Sequence, residues 1–324
     1  MSAHPLHDVS PVVVRFSETL FLRWTGAAYL VGFLLVFAAL WRQATRGHGP
    51  FQKREVPELV LYAGLFGVML GGRLGYVLLH QWEDFSQDLT LFFQFRQGGA
   101  SMLGALLGVL VFAVYFARQH QRPWLQVTDA LVVFAPLGFF LGHLALFTEG
   151  MPLGQVTSAP WGFVFPSEVG MPDFQPVVTP SFDVTALAHA PGHELALLAR
   201  TNEAFLAELY RILPARHPVL LYQAVLEGAV LGAILLAVRF GWRSRPEGML
   251  SGVFFVLLGG LRFLGLPFHA PRPDLSFGAG FEQSALAPVL LVALGAAFVL
   301  SASASRARED ARPSAVKLEG HAAD

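Results

Sequence analysis

Residues 62–78 form an apolar segment, YAGLFGVMLGGRLGYVL, that carries a single charge at Arg73. A segment of this length approaches what a helix needs to cross the hydrocarbon core of a bilayer. A guanidinium at that depth is costly unless a partner or a polar cavity receives it, so an arginine in such a position is usually functional. Gly71, Gly72 and Gly75 beside it let another helix, or a lipid headgroup, approach the backbone closely. A structural arginine, paired with a buried carboxylate or extended toward the interface, is the alternative.

The composition is that of a polytopic membrane protein. The chain is 54% hydrophobic and only 14% charged, with a mean hydropathy of +0.52. A soluble protein of 324 residues cannot bury so much apolar surface. The net charge of −1 argues against binding to nucleic acid. Because the chain has no cysteine, disulfides, thiolate metal sites and a cysteine nucleophile are excluded. The N-terminus has no basic region ahead of an apolar core, so no cleavable signal peptide is predicted.

The apolar segments predict an all-α fold of about seven transmembrane helices. They lie near residues 20–40, 56–79, 98–116, 128–147, 219–238, 250–268 and 285–301. Basic residues cluster after the first, third, fifth and seventh segments, whereas Glu83, Asp84 and Asp88 follow the second. Since short cytoplasmic connections are enriched in Lys and Arg, we expect the N-terminus outside and the C-terminus in the cytoplasm.

The domain organisation follows from the lengths of the connections. We expect one transmembrane domain, residues 1–303, with a small extracytoplasmic cap inserted at residues 151–216 and a polar cytoplasmic tail at residues 304–324 that is predicted to be disordered. Within the cap, residues 193–212 have apolar positions at helical spacing, which predicts one amphipathic helix. Such a helix either lies on the membrane surface or closes the loop as an ordinary soluble helix. No internal repeat is evident, which disfavours a transporter built from duplicated halves.

Few ionisable residues lie at membrane depth away from the segment ends: Arg73, His143, Glu227 and Arg262. Two arginines and a histidine from separate helices can converge on one anion, and a phospholipid phosphate is the obvious one in this location. Arginine suits phosphate because its planar fork bonds two oxygens and stays charged. Glu227 is the structural alternative, because it can instead neutralise one of the arginines.

A further polar group precedes the fifth segment. Arg216 and His217 stand directly before Pro218, a residue that favours the first turn of a helix. A cation and an imidazole are therefore predicted at the membrane face, where we expect them, with Glu227, to serve as structural polar partners.

Several motifs follow one another in an order and spacing that recur in one family. They are Trp24-Thr25-Gly26, Tyr29-Leu30-Val31-Gly32-Phe33, the GGRLGYV sequence at 71–77, Gln126-Val127-Thr128-Asp129, Ala135-Pro136-Leu137, Arg216-His217-Pro218, Leu221-Tyr222, Leu226-Glu227-Gly228, Arg262 and Pro273-Asp274. Through them the chain resembles, over nearly its whole length, the bacterial prolipoprotein diacylglyceryl transferase family.

The resemblance implies a reaction within the bacterial plasma (inner) membrane, carried out by a multi-pass protein. The family transfers the diacylglyceryl group of phosphatidylglycerol to the thiol of a lipobox cysteine in a secreted prolipoprotein, so that a thioether forms and glycerol phosphate leaves. The implied partners are phosphatidylglycerol or another anionic phospholipid, the prolipoprotein lipobox segment and the membrane, without nucleic acid. No metal or organic cofactor is implied.

The same resemblance assigns roles to residues. The thiol must lose a proton, and a histidine titrating near neutral pH is a suitable base. Charge builds on the departing phosphate, which arginines can stabilise. His143 and Arg262 are therefore the candidate catalytic residues, and Arg73, His143 and Arg262 the candidate ligands of the lipid phosphate.

The chain departs from the family at several positions that carry chemistry. The signature GRxGNFxNGExxG of the fourth segment reads GHLALFTEGMPLG at 142–154, so its arginine is His143, its first asparagine Leu146 and its glutamate Met151. The signature DGGMSxHGG reads QGGASMLGA at 97–105, which replaces the essential histidine by Leu103. Three further positions, two tyrosines and an acid in the family, are Thr25, Leu258 and Leu266.

Three functions remain open on the sequence. The first is the transferase reaction, with His143 as the base and Arg73 and Arg262 holding phosphate. The second is a catalytically inactive homologue that binds phospholipid or lipoprotein as a partner or regulator. The third is a different reaction on a membrane lipid or thiol substrate. A neutral histidine does not supply the permanent charge of an arginine, and Leu103 cannot carry a proton. A hydrogen-bonded structural role for His143 is as compatible with the sequence as catalysis.

Overall fold

The computed structural model describes residues 4–17, 20–94, 99–151, 154–171, 174–181, 187, 190–270 and 284–310. The predicted all-α polytopic fold is confirmed, since seven helices in this part of the chain are long and apolar enough to cross a membrane. The named strands in these residues belong to two small two-stranded sheets. The protein is therefore a multi-pass membrane protein, while the orientation of its termini stays a prediction.

The seven helices are numbered as spans in chain order. They are span one Trp24–Thr45, span two Lys53–His80, span three Met102–Gln119, span four Trp124–Thr148, span five Val219–Gly241, span six Met249–Phe268 and span seven Leu286–Ala307. The helix of span seven continues to Asp310, into the predicted polar tail. The rest of that tail, 311–324, lies outside the described residues.

Two spans contain π-helical turns. Span two is π-helical over Ala63–Leu70, and span five over Ala224–Val230. Because a π turn holds more residues than an α turn, it changes the direction in which the following side chains project. The first π segment ends shortly before Arg73, and the second contains Glu227.

Spans two and three pack with their backbones almost in contact. A Cβ atom added at Gly71 would lie 2.8 Å from the carbonyl oxygen of Gly104, and one added at Gly75 would lie 2.6 Å from the Cα of Gly104. No larger side chain fits at these positions, which is how small residues let membrane helices approach. The expectation that the glycines beside Arg73 admit another helix is confirmed, and the neighbour is span three.

Span four supplies the carboxylate that accepts hydrogen bonds from the first turn of span six. Asp129 accepts hydrogen bonds from the backbone N–H of Gly248 at 2.9 Å and of Ser251 at 2.8 Å, and from the Ser251 hydroxyl at 2.7 Å. The first N–H groups of a helix have no intrahelical partner, so a carboxylate there stabilises the helix start. Gly248 has φ +87, a conformation that favours glycine. This contact fixes spans four and six at the end opposite the cap.

The cap encloses a small core of its own. Its helices are Gly192–Thr201 and Glu203–Ile212, and its strands are β3, Phe163–Val164, and β4, Ala215–Arg216. The prediction of a single helix over 193–212 is wrong. Asn202 has an extended backbone and caps the second helix by accepting a hydrogen bond from the Phe205 N–H at 3.1 Å. A capping asparagine competes with helix continuation, which breaks the stretch.

The N-terminal residues attach to the cap before span one begins. Strands β1, Val12–Arg15, and β2, Phe21–Arg23, form a hairpin that leads into span one. Ahead of it, the His7 N–H donates to the Val164 carbonyl at 2.8 Å. We call residues 4–11 the strap, because they join β3 of the cap to the hairpin. The end of the bundle that carries the cap is called the cap side.

Candidate functional site within the membrane

Glu227 is the centre of a polar cluster at membrane depth. It is 1% exposed, and its Oε2 lies 3.1 Å from Nε2 of His143 in span four. Its Oε1 accepts a hydrogen bond from Nε of Arg262 in span six at 3.1 Å. The Gln223 amide, one turn earlier in span five, lies 3.4 Å from the same oxygen. One carboxylate therefore joins three spans, and we call His143, Glu227 and Arg262 the intramembrane triad.

The imidazole of His143 has a defined orientation in the triad. Because a carboxylate can only accept hydrogen bonds, Nε2 of His143 carries the proton that faces Glu227. In the neutral ring this leaves the lone pair on Nδ1. That atom is buried and has no hydrogen-bond partner in the described part of the chain. His143 therefore presents an unsatisfied acceptor inside the membrane, held in place by a carboxylate.

Arg262 uses only part of its guanidinium within the protein. Its Nε bonds Glu227, and its Nη1 lies 2.8 Å from the sulfur of Met102 at the start of span three. Among the described residues, Nη2 makes no hydrogen bond, and the side chain is 20% exposed. An anion can therefore reach one edge of this guanidinium while the other edge stays paired with Glu227.

The triad lies in the cap-side half of the bundle. His143 precedes the end of span four at Thr148, Arg262 precedes the end of span six at Phe268, and Glu227 follows the start of span five. At a rise of about 1.5 Å per residue, these positions lie roughly 8–12 Å from the cap-side ends of their spans. The triad therefore lies inside the spans and not at their ends.

Arg73 lies apart from the triad in its contacts. Its guanidinium donates to the carbonyls of Leu91 (2.6 Å), Gln94 (3.2 Å), Phe92 (3.3 Å) and Gly99 (3.5 Å). The residue is 2% exposed. The hydrogen bonds that the triad makes to other described residues reach only Gln223 and Met102, so Arg73 is not one of its partners. Arg73 holds the chain segment that connects spans two and three.

Arg216 joins the two ends of the cap. Its Nε donates to Oε2 of Glu168 at 2.8 Å, and its Nη2 bonds the other carboxylate oxygen. Its Nη1 donates to the Gly154 carbonyl at 3.0 Å. Glu168 is 4% exposed, so this is a buried ion pair. The sequence placed Arg216 at the membrane face but gave no sign of its partner, which precedes it by almost fifty residues.

His217 belongs to an aromatic group on top of span five. Its Nδ1 lies 3.0 Å from the hydroxyl of Tyr222, which accepts a hydrogen bond from the Trp161 indole at 2.7 Å. The imidazole also contacts the Phe268 ring edge-on, with centroids 5.2 Å apart. His217 therefore contacts spans five and six, Arg216 holds the cap together, and the contacts given for both are separate from those of the triad.

Among the positions where the chain departs from the family, Leu103 and Leu258 have apolar surroundings. Leu103 packs in the cluster that contains Phe255 and Leu258, and Leu258 is fully buried. Leu103 also lines an apolar cavity of about 210 Å³ between spans three, six and seven. Leu146 is 39% exposed on span four. The motif residues Gln97 and Gly98, together with Pro273 and Asp274, lie outside the described residues.

Sequence reasoning missed two members of the site. Gln223 precedes Glu227 by one turn, so its spacing could have marked it as a neighbour on the same helix face. Met102 carries no such signal, because its contact with Arg262 depends on how spans three and six pack.

The fold and the site define a class: a seven-span helical membrane protein in which one carboxylate joins a histidine and an arginine beneath a cap. The family model for prolipoprotein diacylglyceryl transferase matches residues 11–301. The chain therefore belongs to the prolipoprotein diacylglyceryl transferase family, as its motifs predicted.

Named relatives extend this match. The chain is 33% identical over 298 residues to the phosphatidylglycerol–prolipoprotein diacylglyceryl transferase of Proteus mirabilis, covering 90% of this chain and 92% of the relative. It is 33% identical over 292 residues to that of Photorhabdus laumondii, covering 89% and 90%. The corresponding protein of Escherichia coli O1:K1 is 33% identical over 306 residues, covering 93% and 95%.

Proposed function

We propose that this protein transfers the diacylglyceryl group of phosphatidylglycerol to the thiol of a lipobox cysteine in the bacterial inner membrane. The relatives are named for this activity. The observation that carries the proposal is the buried, unpartnered Nδ1 of His143, oriented by Glu227. A base of this kind is what a thiol needs before it can act as a nucleophile.

The triad divides the reaction among three side chains. Nδ1 of His143 takes the thiol proton while sulfur attacks the carbon of the diacylglyceryl group that is bonded to a phosphate oxygen. The new C–S bond forms as the C–O bond breaks, and glycerol phosphate leaves with the electron pair of that bond. Glu227 stabilises the imidazolium, as a carboxylate does beside a catalytic histidine. The imidazolium then returns its proton to the departing phosphate.

Arg262 stabilises the leaving group in this scheme. Its Nη2 is available to donate to a phosphate oxygen, and its Nε stays anchored to Glu227. Donors fixed where negative charge develops lower a barrier most effectively in a site that excludes water. Arg73 is assigned a positioning role, because its hydrogen bonds to Leu91, Phe92 and Gln94 order a segment on the cap side of the bundle.

A second candidate function rests on a different observation. Leu103 stands in an apolar cluster where the family signature has histidine, and Arg262 is already paired with Glu227. An inactive homologue that binds an anionic phospholipid or a lipoprotein would need a cation such as Arg262 and the apolar surroundings of Leu103, but no base. Such a protein would act as a partner or regulator of an active transferase.

Expression in a strain depleted of its own transferase separates the two functions. Rescue of growth, with labelled diacylglyceryl on a lipobox cysteine, is expected for wild type and lost in His143→Ala. His48→Ala, an exposed histidine outside the spans, is the matched control and should rescue. If inserted wild-type protein shows no transfer, the transferase function is wrong. Thermal stabilisation by phosphatidylglycerol would then support the binding function.

A further inference from the structure

A second cavity, of about 310 Å³, lies on the cap side at the end of span four. Its walls come from four parts of the chain that are distant in sequence. They are the strap with His7, Val9 and Pro11; the hairpin with Val12, Arg15, Phe21 and Arg23; the end of span four with Thr148, Glu149 and Gly150; and the cap with Pro166, Ser167, Pro191, Gly192, His193 and Glu194. The proposed reaction uses none of these side chains.

The cavity lies further toward the cap than the triad. His143 and the cavity-lining Thr148 belong to span four, so along the helix axis the cavity begins about 8 Å nearer the cap than the imidazole. An extended polypeptide rises about 3.3 Å per residue. A chain whose cysteine reaches His143 would therefore enter the cavity within roughly three residues.

The charges of the cavity are balanced. Arg23 is already neutralised, because its Nη1 donates to Oε2 of Glu149 at 2.9 Å. Arg15 and His193 stand on walls that also contain Glu194. A phosphate-containing headgroup calls for a surplus of cations, which these walls do not provide. A neutral polypeptide, with donors and acceptors in equal number, matches them better.

Apolar side chains complete the walls and favour the same occupant. Val9, Val12 and Phe21 line the cavity together with the prolines. Sites for extended peptides typically combine hydrogen bonds to the main chain with pockets that receive side chains. A cleft of this composition at the membrane face is suited to a chain that leaves the bilayer.

We propose that this cavity binds the extended polypeptide segment that follows the acceptor cysteine of the substrate. The proposal rests on the proposed function, because only a lipobox substrate has such a segment. The cavity fixes the direction in which the substrate leaves the membrane, and so brings the thiol to His143. It selects substrates by the residues just after the cysteine and takes no part in the chemistry.

The test uses full-length protein in phospholipid nanodiscs and a prolipoprotein peptide with its lipobox and five following residues. Val9→Trp fills the cavity, and Val14→Trp is the matched control, since both valines are partly exposed, at 38% and 44%, and Val14 is not in the cavity wall. We expect Val9→Trp to raise KM for the peptide at least tenfold with little change in kcat. Val14→Trp should keep the wild-type KM.

A truncated peptide that ends at the cysteine sharpens the test. Removing the segment should raise KM for wild type by a similar factor, and Val9→Trp should add little to that increase, because both changes remove the same contact. Equal KM values for Val9→Trp and wild type on the long peptide would overturn the proposal. So would additive effects of the truncation and the substitution.

A binding readout separates failure of this proposal from failure of the proposed function. A benzoylphenylalanine photo-crosslinker replaces Val9 or, as the control, Val14, and the long peptide is added without measuring transfer. Crosslinking from position 9, competed by a soluble peptide of the five post-cysteine residues, supports the cavity even if no transfer occurs. Transfer without such crosslinking overturns the cavity alone. Crosslinking to zwitterionic phospholipid instead of peptide identifies a headgroup site and also overturns it.

Discussion

Arg73 and Arg262 are both arginines inside membrane spans, yet the protein holds them in opposite ways. Arg73 is 2% exposed and donates to backbone carbonyls of the connection after span two. Arg262 pairs with Glu227, a carboxylate that it shares with His143. The first guanidinium donates to four backbone carbonyls of the described chain, which are neutral acceptors that belong to the fold. The second depends on one charged partner and keeps an edge for another anion.

This difference separates a scaffold arginine from a reactive one. Several carbonyl dipoles can satisfy a guanidinium without a counter-charge, but they give no means of responding to a charge that develops nearby. A carboxylate shared between an arginine and a histidine couples their charges, so a proton gained by His143 is felt at Glu227 and at Arg262. The comparison therefore predicts that substitution of Arg262 by another cation affects mainly the reaction, and that the same substitution at Arg73 affects mainly the fold.

The largest effect is expected at Glu227. Glu227→Gln keeps the shape but leaves Arg262 without its counter-charge in a buried site. Removing one partner of a buried ion pair costs about 3–5 kcal/mol, so thermal unfolding in detergent should shift strongly downward, and transfer should be lost. Glu203→Gln, at an exposed acid in the first turn of the second cap helix, is the control. Wild-type stability of Glu227→Gln would show that Arg262 does not depend on this carboxylate.

The sequence contained the members of the triad and offered Glu227 as the counter-charge of one arginine, but it did not show which arginine, nor the contact of Glu227 with His143. Arg262, His143 and Glu227 stand out because charged groups are rare in membrane spans. Their pairing depends on how spans four, five and six pack, and the π turn that contains Glu227 changes its direction in a way that hydropathy does not reveal. The glycines beside Arg73 correctly predicted a close helix neighbour.

Other features were beyond sequence reasoning for a similar reason. The carbonyls that bind Arg73 belong to an irregular connection, whose backbone conformation has no periodic signal. The break at Asn202 was readable, since asparagine is a preferred N-cap, but the apolar spacing on both sides of it concealed the interruption. The cavity at the end of span four is built from the strap, the hairpin, the end of span four and the cap, so it exists only once the N-terminal residues have packed against the cap.

The next largest effect is expected at His143. His143→Gln keeps an amide that can donate to Glu227 but removes the base. Loss of a general base typically lowers a rate by 10²–10⁴-fold, and we expect kcat for lipid transfer to fall in that range. Thermal stability should change much less than in Glu227→Gln. A rate within threefold of wild type would remove His143 from proton transfer and would mean that another group takes the thiol proton.

Substitution of each arginine by lysine tests the comparison directly. Lysine keeps the positive charge but lacks the planar fork. Arg262→Lys should lower kcat by about 10²-fold, because the phosphate loses a fixed donor while Glu227 keeps a counter-charge.

The same substitution at Arg73 should act on the fold. Arg73→Lys should lower the free energy of unfolding by about 1.5–3 kcal/mol, the usual range for hydrogen bonds to a charged group, as measured by urea or thermal unfolding. The reverse pattern, with stability lost at Arg262 and kcat lost at Arg73, would contradict the division between scaffold and reactive arginine.

The smallest expected effect concerns the strap, which contacts the cap-side end of span four. His7 is 4% exposed, and its Nε2 lies 2.8 Å from the carbonyl of Phe147, one turn above His143. Burial lowers the pKa of His7 below its ordinary 6.5, although Asp8 and the Phe147 carbonyl oppose the shift. The neutral form is therefore favoured in the folded protein. The stabilisation of the folded strap by neutral His7 is present above pH 6.5 and is lost as pH falls through the lowered pKa.

We therefore expect the strap to loosen between pH 7.5 and pH 5.5, by about 1 kcal/mol or less. Hydrogen exchange at the His7 amide, which bonds the Val164 carbonyl, measures this opening. His7→Gln should remove the pH dependence of the opening free energy, after correction for the intrinsic exchange rate, because glutamine does not titrate. The segment 91–94 provides the internal reference. The Arg73 guanidinium holds it through the Leu91 and Gln94 carbonyls, and none of these groups titrates in this range. Equal pH dependence at both places would show that the two regions open together and would break the comparison.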